Sequence, residues 1–227
     1  MHEAGELIGR GREADVHLLP DGTVLRRLNH PHDVAHDAEA MRYASSHGFP
    51  VPQVFRAEGQ DLVMEFVPGR TMLAELGDGT CSIEDAALVL ADLLARLRAL
   101  PTRPGAPAGT GLVHLDLHPD NVLMGPTGPV VIDWTNARDS DRDLDPAFSA
   151  LIIAQAALGE LAEPAKWLLD LLLRALHERG MDPRRRLDLV LQIRLDNPTM
   201  SAEEIEALPA AARLVLDGAD RLWATAP

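Results

Sequence analysis

Apolar positions along the chain follow two different rhythms. In the first third they come in short runs bounded by turn residues. Leu7-Ile8-Gly9, Val16-His17-Leu18-Leu19 and Thr23-Val24-Leu25-Arg26-Arg27-Leu28 predict three strands, with Asp21-Gly22 as the hairpin turn between the last two. A helix follows from about Asp33 to Ser46, since Val34, Ala38, Met41 and Ala44 fall on one face, and Gly48, Pro50 and Pro52 stop it. Val54–Ala57 and Leu62–Met64 predict two further strands. After Pro68-Gly69 the period lengthens to that of helices. Ser82-Ile83-Glu84-Asp85 reads as a capping box opening a helix to about Leu100. The Pro- and Gly-rich stretch Pro101–Gly111 is a loop. Short apolar pieces at Val113 and Val122–Met124, a turn at Gly125–Gly128 and a strand Pro129–Asp133 come next. From Asp145 onward the pattern is helical, broken near Gly159, Gly180–Pro183 and Asn197-Pro198. The expectation is an α+β chain: a strand-rich lobe with one helix over 1–64, a hinge over 65–69, and a larger helical lobe over 70–227.

Composition narrows the partners more than the fold. At 227 residues the chain can bury a real core, and aromatics at 4% leave Leu, Val, Ile and Ala to build it. The net charge of −14 disfavours nucleic acid and anionic membrane, which need a basic footprint. It is compatible with a cationic small molecule. The acidic start Met1–Glu6 has neither the basic nor the apolar part of a signal peptide, and no apolar run is long enough to span a bilayer. The single Cys81 excludes an internal disulfide framework. These features together point to the cytoplasm. The sequence carries no signal for oligomeric state.

Chemistry concentrates in His114-Leu115-Asp116-Leu117-His118-Pro119-Asp120-Asn121, followed by an apolar strand that runs into Asp133-Trp134. Phosphoryl transfer to a hydroxyl asks for one carboxylate to orient the acceptor and take its proton, and for oxygen donors to hold magnesium on the phosphates. Asp116 suits the first role, and Asn121 with Asp133 the second. His-x-Asp-x-His-x-x-Asn followed by Ile-Asp-Trp resembles the catalytic motif of the aminoglycoside phosphotransferase family, small-molecule kinases related to protein kinases. His118 and Trp134 point to that small-molecule branch.

The resemblance implies a protein kinase-like two-lobe fold, ATP (or GTP) as phosphate donor, Mg2+, and a small hydroxyl-bearing acceptor. It assigns the catalytic loop to 114–121 and the metal-binding segment to 130–134, with His114, His118 and Trp134 as scaffold of the loop. Gly9-Arg10-Gly11-Arg12-Glu13-Ala14-Asp15-Val16 resembles the kinase glycine-rich loop, with Ala14 in the place of the third glycine. Gly9, Gly11, Ala14 and Val16 would then cover the phosphates. Where the family carries a lysine on its third strand this chain has Arg26, with Glu39 as the expected helix partner. Arginine can grip phosphate and carboxylate in a bidentate manner, but its head is planar and bulkier. Met64, Glu65 and Val67 resemble the segment that holds adenine. Asp145-Pro146-Ala147 resembles the element that buttresses the catalytic loop. The acids Asp139, Asp141 and Asp143 read better as a solvated loop than as a cation site. Arg184-Arg185-Arg186 reads as solvated surface. An acceptor such as an aminoglycoside-like cationic antibiotic fits the charge. A nucleotide-binding module with weak or no transfer is the alternative, motivated by the missing lysine.

Overall fold

The computed structural model describes residues 5–11, 13–31 and 33–224. Met1–Ala4 of the acidic start and Arg12 of the glycine-containing loop lie outside the described residues. The chain divides into two compact units, one made of residues up to Arg70 together with Leu123–Ala137, the other of Thr71–Val122 together with residues from Arg138 on.

The first unit is built on an antiparallel sheet of order β1-β2-β3-β5-β4. Its strands are β1 (Glu6–Arg10), β2 (Ala14–Leu18), β3 (Thr23–Leu28), β4 (Val54–Glu58) and β5 (Asp61–Glu65), and α1 (Ala35–Ser46) lies between β3 and β4 in the chain. The β2–β3 turn closes at Gly22, whose φ of 82° suits a residue without Cβ. Leu19, Leu25 and Val63 form a buried cluster. On α1 the buried set is Asp37, Ala38, Ala40, Met41 and Ala44, so a carboxylate sits among the small apolar residues.

A three-stranded sheet of order β6-β8-β9 is formed by β6 (Arg70–Thr71), β8 (Val122–Gly125) and β9 (Gly128–Val131). Gly69 is required here, because a Cβ on it would come within 2.4 Å of the Met124 carbonyl oxygen. The predicted strand Pro129–Asp133 stops short, at Val131. Trp134 folds back so that its indole N–H donates to the Val131 carbonyl, 3.1 Å away, and Asp133 turns into the left-handed region at φ 61°. Segment 123–137 belongs to the strand-rich unit although the sequence pattern groups it with the helical lobe. Three contacts fix it there: Val131 N–H to the Pro50 carbonyl at 2.9 Å, Trp134 edge-on to Phe49, and His36 Nε2 to the Ala137 carbonyl at 2.7 Å.

The second unit is mainly helical: α2 (Met72–Asp78), α3 (Ile83–Arg98), α4 (Leu144–Ala156), α5 (Ala162–Glu178), α6 (Leu187–Leu195) and α7 (Ala202–Trp223), with a short ribbon of β7 (Gly111–Val113) and β10 (Arg138–Ser140). Ser82 caps α3 by accepting from Asp85 N–H at 3.0 Å. The Asp85 carboxylate accepts from the Ser82 hydroxyl rather than from its backbone, so the reciprocal box is incomplete there. It is complete at Ser201–Glu204, which opens α7. One face of α3 buries Leu90, Leu93, Leu94 and Leu97, each worth about 1.5–3 kcal/mol on removal from water. Helix α4 is buried nearly all round, and two of its few polar residues, Asp145 and Ser149, lie one turn apart. Among the described residues no helix is long and apolar enough to cross a membrane.

The acids after Asp133 are not a free cluster. Asp139 pairs with Arg103, Asp141 with Arg186, and Asp143 with Arg98 and Arg185. Arg184 is likewise engaged, bridging Asp182 and Asp220 and lying over the Trp223 ring. The basic run 184–186 is thus surface, with Arg185 and Arg186 exposed as expected, but each of the three arginines is also tied to a carboxylate of the helical unit.

Candidate active site

In the helical unit the segment after β7 carries His114, Asp116, His118 and Asn121. Its backbone is bonded at four consecutive residues. The Asp145 carboxylate, fully buried on α4, accepts from His114 N–H at 3.0 Å and from Leu115 N–H at 2.7 Å. Asn121 Nδ2 donates to the Asp116 carbonyl at 2.8 Å, and Ser149 Oγ donates to the Leu117 carbonyl at 2.7 Å. These bonds hold Leu115 at φ 63°, a left-handed conformation that a leucine adopts only when its surroundings impose it. Burial pushes the Asp145 carboxyl up to about 6, against the pull of the two N–H donors and of Arg138.

Asp116 is the reactive candidate. Asn121 Nδ2 also donates to its Oδ2 at 3.1 Å, and His118 Nε2 lies 3.7 Å from its Oδ1. Burial pushes this carboxyl up, but the neighbouring His118 imidazole and the charges of His114 and Arg194 outweigh it and hold Asp116 below the usual carboxylate range. It is an ionised acceptor, suited to orienting a hydroxyl. His118 Nδ1 accepts from Asp120 N–H at 3.3 Å, which caps the 3₁₀ turn Pro119–Asn121. Asn121 Nδ2 also lies 3.2 Å from His118 Nε2, and with these contacts all made by the nitrogen its Oδ1 remains as a hard oxygen donor. His114 is fully buried.

In the strand-rich unit Arg26 is buried on β3. Its Nη1 meets Asp37 Oδ2 at 3.3 Å, and its Nη2 meets Asp133 Oδ1 at 2.8 Å and Thr135 Oγ1 at 2.5 Å. The expected partner Glu39 is exposed and is not the residue that meets Arg26. The reason is helical phase: Asp37 shares the buried stripe with Val34, Met41 and Ala44, whereas Glu39 is two residues, about 200°, further round. Arg26 with two carboxylates leaves a local charge of minus one, and the Asp133 side chain is 40% exposed. Among the described residues no hydrogen bond or ion pair reaches its Oδ2. An accessible carboxylate oxygen in a net-negative cluster fits a hard divalent cation, as does the Asn121 amide oxygen. No cluster of three or more His, Cys, Asp or Glu that could hold a metal occurs among the described residues.

The remaining candidates are spread along the same unit. Gly9 and Val16 face each other across β1 and β2, and Gly11 N–H donates to the Ala14 carbonyl at 2.8 Å in the turn between them. Met64 is half-buried near the end of β5. Glu65 N–H is taken by the Gln53 carbonyl at 2.8 Å, so of its backbone polar groups only the carbonyl is left for a ligand. Val67 lies in the irregular segment after β5. Trp134 is buried against Phe49, with ring centroids 5.8 Å apart. Asp37, Thr135 and Ser149 are absent from the residues picked by motif. Two carried a legible signal: Asp37 is a charge on an apolar helix stripe, and Ser149 stands four residues after Asp145 in a mostly apolar helix.

Residues 73–187, just over half of the chain, match the family model described as the phosphotransferase enzyme family. The chain belongs to that family. Solved structures agree on the fold. The gentamicin complex of APH(2")-IIa resembles this family member with a TM-score of 0.60 at 14% identity, covering 99% of this chain and 92% of that one. A choline/ethanolamine kinase family protein from Mesorhizobium loti gives 0.58 at 16% identity, over 98% and 90%. An aminoglycoside-3'-phosphotransferase of type VIII gives 0.53 at 21% identity, over 96% and 92%. The phosphotransferase chain thus has the protein kinase-like α+β fold. No curated protein sequence matches it.

Proposed function

We propose that the chain transfers the γ-phosphate of ATP, or of GTP, to a hydroxyl of a small molecule with the help of Mg2+. The observation that carries this reading is Asp116: an ionised carboxylate on a segment whose backbone is bonded at residues 114 to 117. Such a group loses little freedom when it meets an acceptor hydroxyl, which is where positioning contributes to rate. In the reaction the acceptor oxygen forms a bond to the γ-phosphorus. The bond from that phosphorus to the bridging oxygen breaks, and ADP leaves. Asp116 accepts the hydroxyl proton and passes it to solvent. Asn121 Oδ1 and Asp133 Oδ2 would hold the cation, which would supply neutralisation of charge on the phosphate oxygens. Arg26 is the phosphate grip, held from behind by Asp37. Gly9, Gly11, Ala14 and Val16 cover the phosphates, and adenine lies by Met64 with the Glu65 carbonyl and Val67 N–H as its partners.

A cationic, aminoglycoside-like antibiotic is the first acceptor class to try, because the chain carries a charge of −14 and similar structures include complexes with gentamicin and streptomycin. One observation favours a second reading, nucleotide binding without transfer: Arg26 is already engaged by Asp133. The test is phosphate transfer from Mg-ATP across aminoglycosides, choline and sugars, for wild type and Asp116→Ala. Transfer by wild type and its loss, by about a thousandfold, in the variant supports the enzyme reading. Nucleotide binding with no transfer to any acceptor supports the second. Absence of nucleotide binding removes both.

A further inference from the structure

Asp133 does not stand alone. It closes a ring of three hydrogen bonds with Arg26 and Thr135. Thr135 Oγ1 donates to Asp133 Oδ1 at 2.8 Å and accepts from Arg26 Nη2 at 2.5 Å, while that same Nη2 reaches Asp133 Oδ1 at 2.8 Å. The hydroxyl therefore uses both its donor and its acceptor capacity, which fixes the rotor. Both protein bonds to the carboxylate land on one oxygen. The backbone at Asp133 is held at φ 61°, so the side chain leaves the chain in a direction that an extended residue would not give it.

From this we infer that Thr135 is a positioning residue for the cation site. By binding Oδ1 together with Arg26 it stops the carboxylate from rotating and presents Oδ2 alone, as a one-oxygen ligand. Magnesium favours that mode, since it takes one or two protein oxygens at short, nearly octahedral geometry and keeps waters elsewhere. Arginine at position 26 is part of the device. Its two terminal nitrogens address different groups, Nη1 the helix carboxylate Asp37 and Nη2 the pair Asp133–Thr135. A single ammonium offers no such rigid fork. The Thr135 hydroxyl also relieves the ring electrostatically: it donates to the oxygen that Arg26 would otherwise have to neutralise alone. The inference rests on reading Asp133 as a cation ligand.

The experiment is Mn2+ titration, followed by electron paramagnetic resonance, of the full-length protein saturated with ADP. Wild type is compared with Thr135→Val, Thr135→Ser and Asp133→Ala. Removing a group that orients a metal ligand weakens the metal about ten- to a hundredfold. Thr135→Val is expected to lose that much Mn2+ affinity, a clearly larger fold-change than in its metal-free ADP affinity, measured in chelator, which shifts only through the lost bond to Arg26. Thr135→Ser, which keeps the hydroxyl, is expected to restore Mn2+ binding. Wild-type Mn2+ affinity in Thr135→Val, with Asp133→Ala defective, overturns the role of Thr135 and leaves the ligand role of Asp133 standing. Wild-type affinity in Asp133→Ala overturns both. Equal losses of Mn2+ affinity, metal-free ADP affinity and urea midpoint in Thr135→Val would mean that the residue is only structural.

Discussion

Replacing Asp145 tests how the segment from His114 to Leu117 is held, and the size of the effect follows from the bonds described. The carboxylate is the acceptor for two buried backbone N–H groups, on His114 and Leu115. Asp145→Ala leaves both without it, at about 1–3 kcal/mol each, or roughly 2–6 kcal/mol together. Against this stands the relief of a buried charge. With its carboxyl raised to about 6, the folded protein holds the Asp145 proton more tightly than the unfolded chain does. Its contribution to stability is thus fully present below the ordinary carboxylate value and is lost as pH rises through 6. The loss is at most ~3 kcal/mol, at about 1.4 kcal/mol for each pH unit between the two values. Asp145→Asn is uncharged at every pH and nearly the same shape, so it isolates this part. Urea unfolding of wild type and both variants between pH 4.5 and 7.5 is the assay, because other carboxylates cancel in the differences. The advantage of wild type over Asp145→Asn is expected to shrink as pH rises from 4.5 to 7. A difference that stays flat, or grows with pH, refutes the account of the buried carboxyl. An Asp145→Ala variant within ~1 kcal/mol of wild type at pH 5 refutes its role as acceptor.

Three further substitutions probe other features. Arg26→Lys keeps the charge but cannot serve Asp37 and Asp133–Thr135 with separate nitrogens. It should lower stability by about 1–2 kcal/mol and weaken nucleotide binding several-fold; unchanged affinity in a nucleotide titration removes Arg26 as the phosphate grip. Gly69→Ala should destabilise by about 1–3 kcal/mol because the new methyl meets the Met124 carbonyl oxygen. Gly22→Ala, with open space around it, should cost only about 1 kcal/mol through its positive φ, and thermal melts that rank the two the other way contradict this packing.

Much of the fold is legible in the sequence where one physical rule decides. The period-two runs, the Asp21-Gly22 turn and the helix stripes set β1 to β5, α1 and α3 within a few residues, because burial of one face dominates there. Two rules that act at a distance are not legible. The strand leading to Asp133 ends early because an indole N–H finds the Val131 carbonyl, a bond no local pattern announces. The short strand Arg138–Ser140 exists only through its pairing with Gly111–Val113, far away in sequence. At the candidate site the motif names Asp116, Asn121 and Asp133 because rare residue types coincide at fixed spacing. The partner of Arg26 is misassigned to Glu39 because the expectation came from resemblance, while helical phase and burial select Asp37. Thr135 carries no sequence signal, since a threonine two residues after an aspartate is ordinary until the backbone between them turns left-handed.

Leu115 and Asp133 are the only non-glycine residues with positive φ among those described, and each sits within one of the two signature segments. Such a conformation costs an L-residue about 1–2 kcal/mol, more if the side chain is branched at Cβ. The consequence is a bias on heritable variation. On backbone grounds alone, single changes at these two positions to Val, Ile or Thr should be purged and Gly should cost least; at 133 the carboxylate is a second constraint, because Arg26 and Thr135 bond to it. At position 115 the bias should relax only in lineages that have also altered residue 145, because the backbone there is held by that carboxylate. A library randomised at 115 and 145 together, selected first for folding alone, should therefore return paired solutions more often than chance.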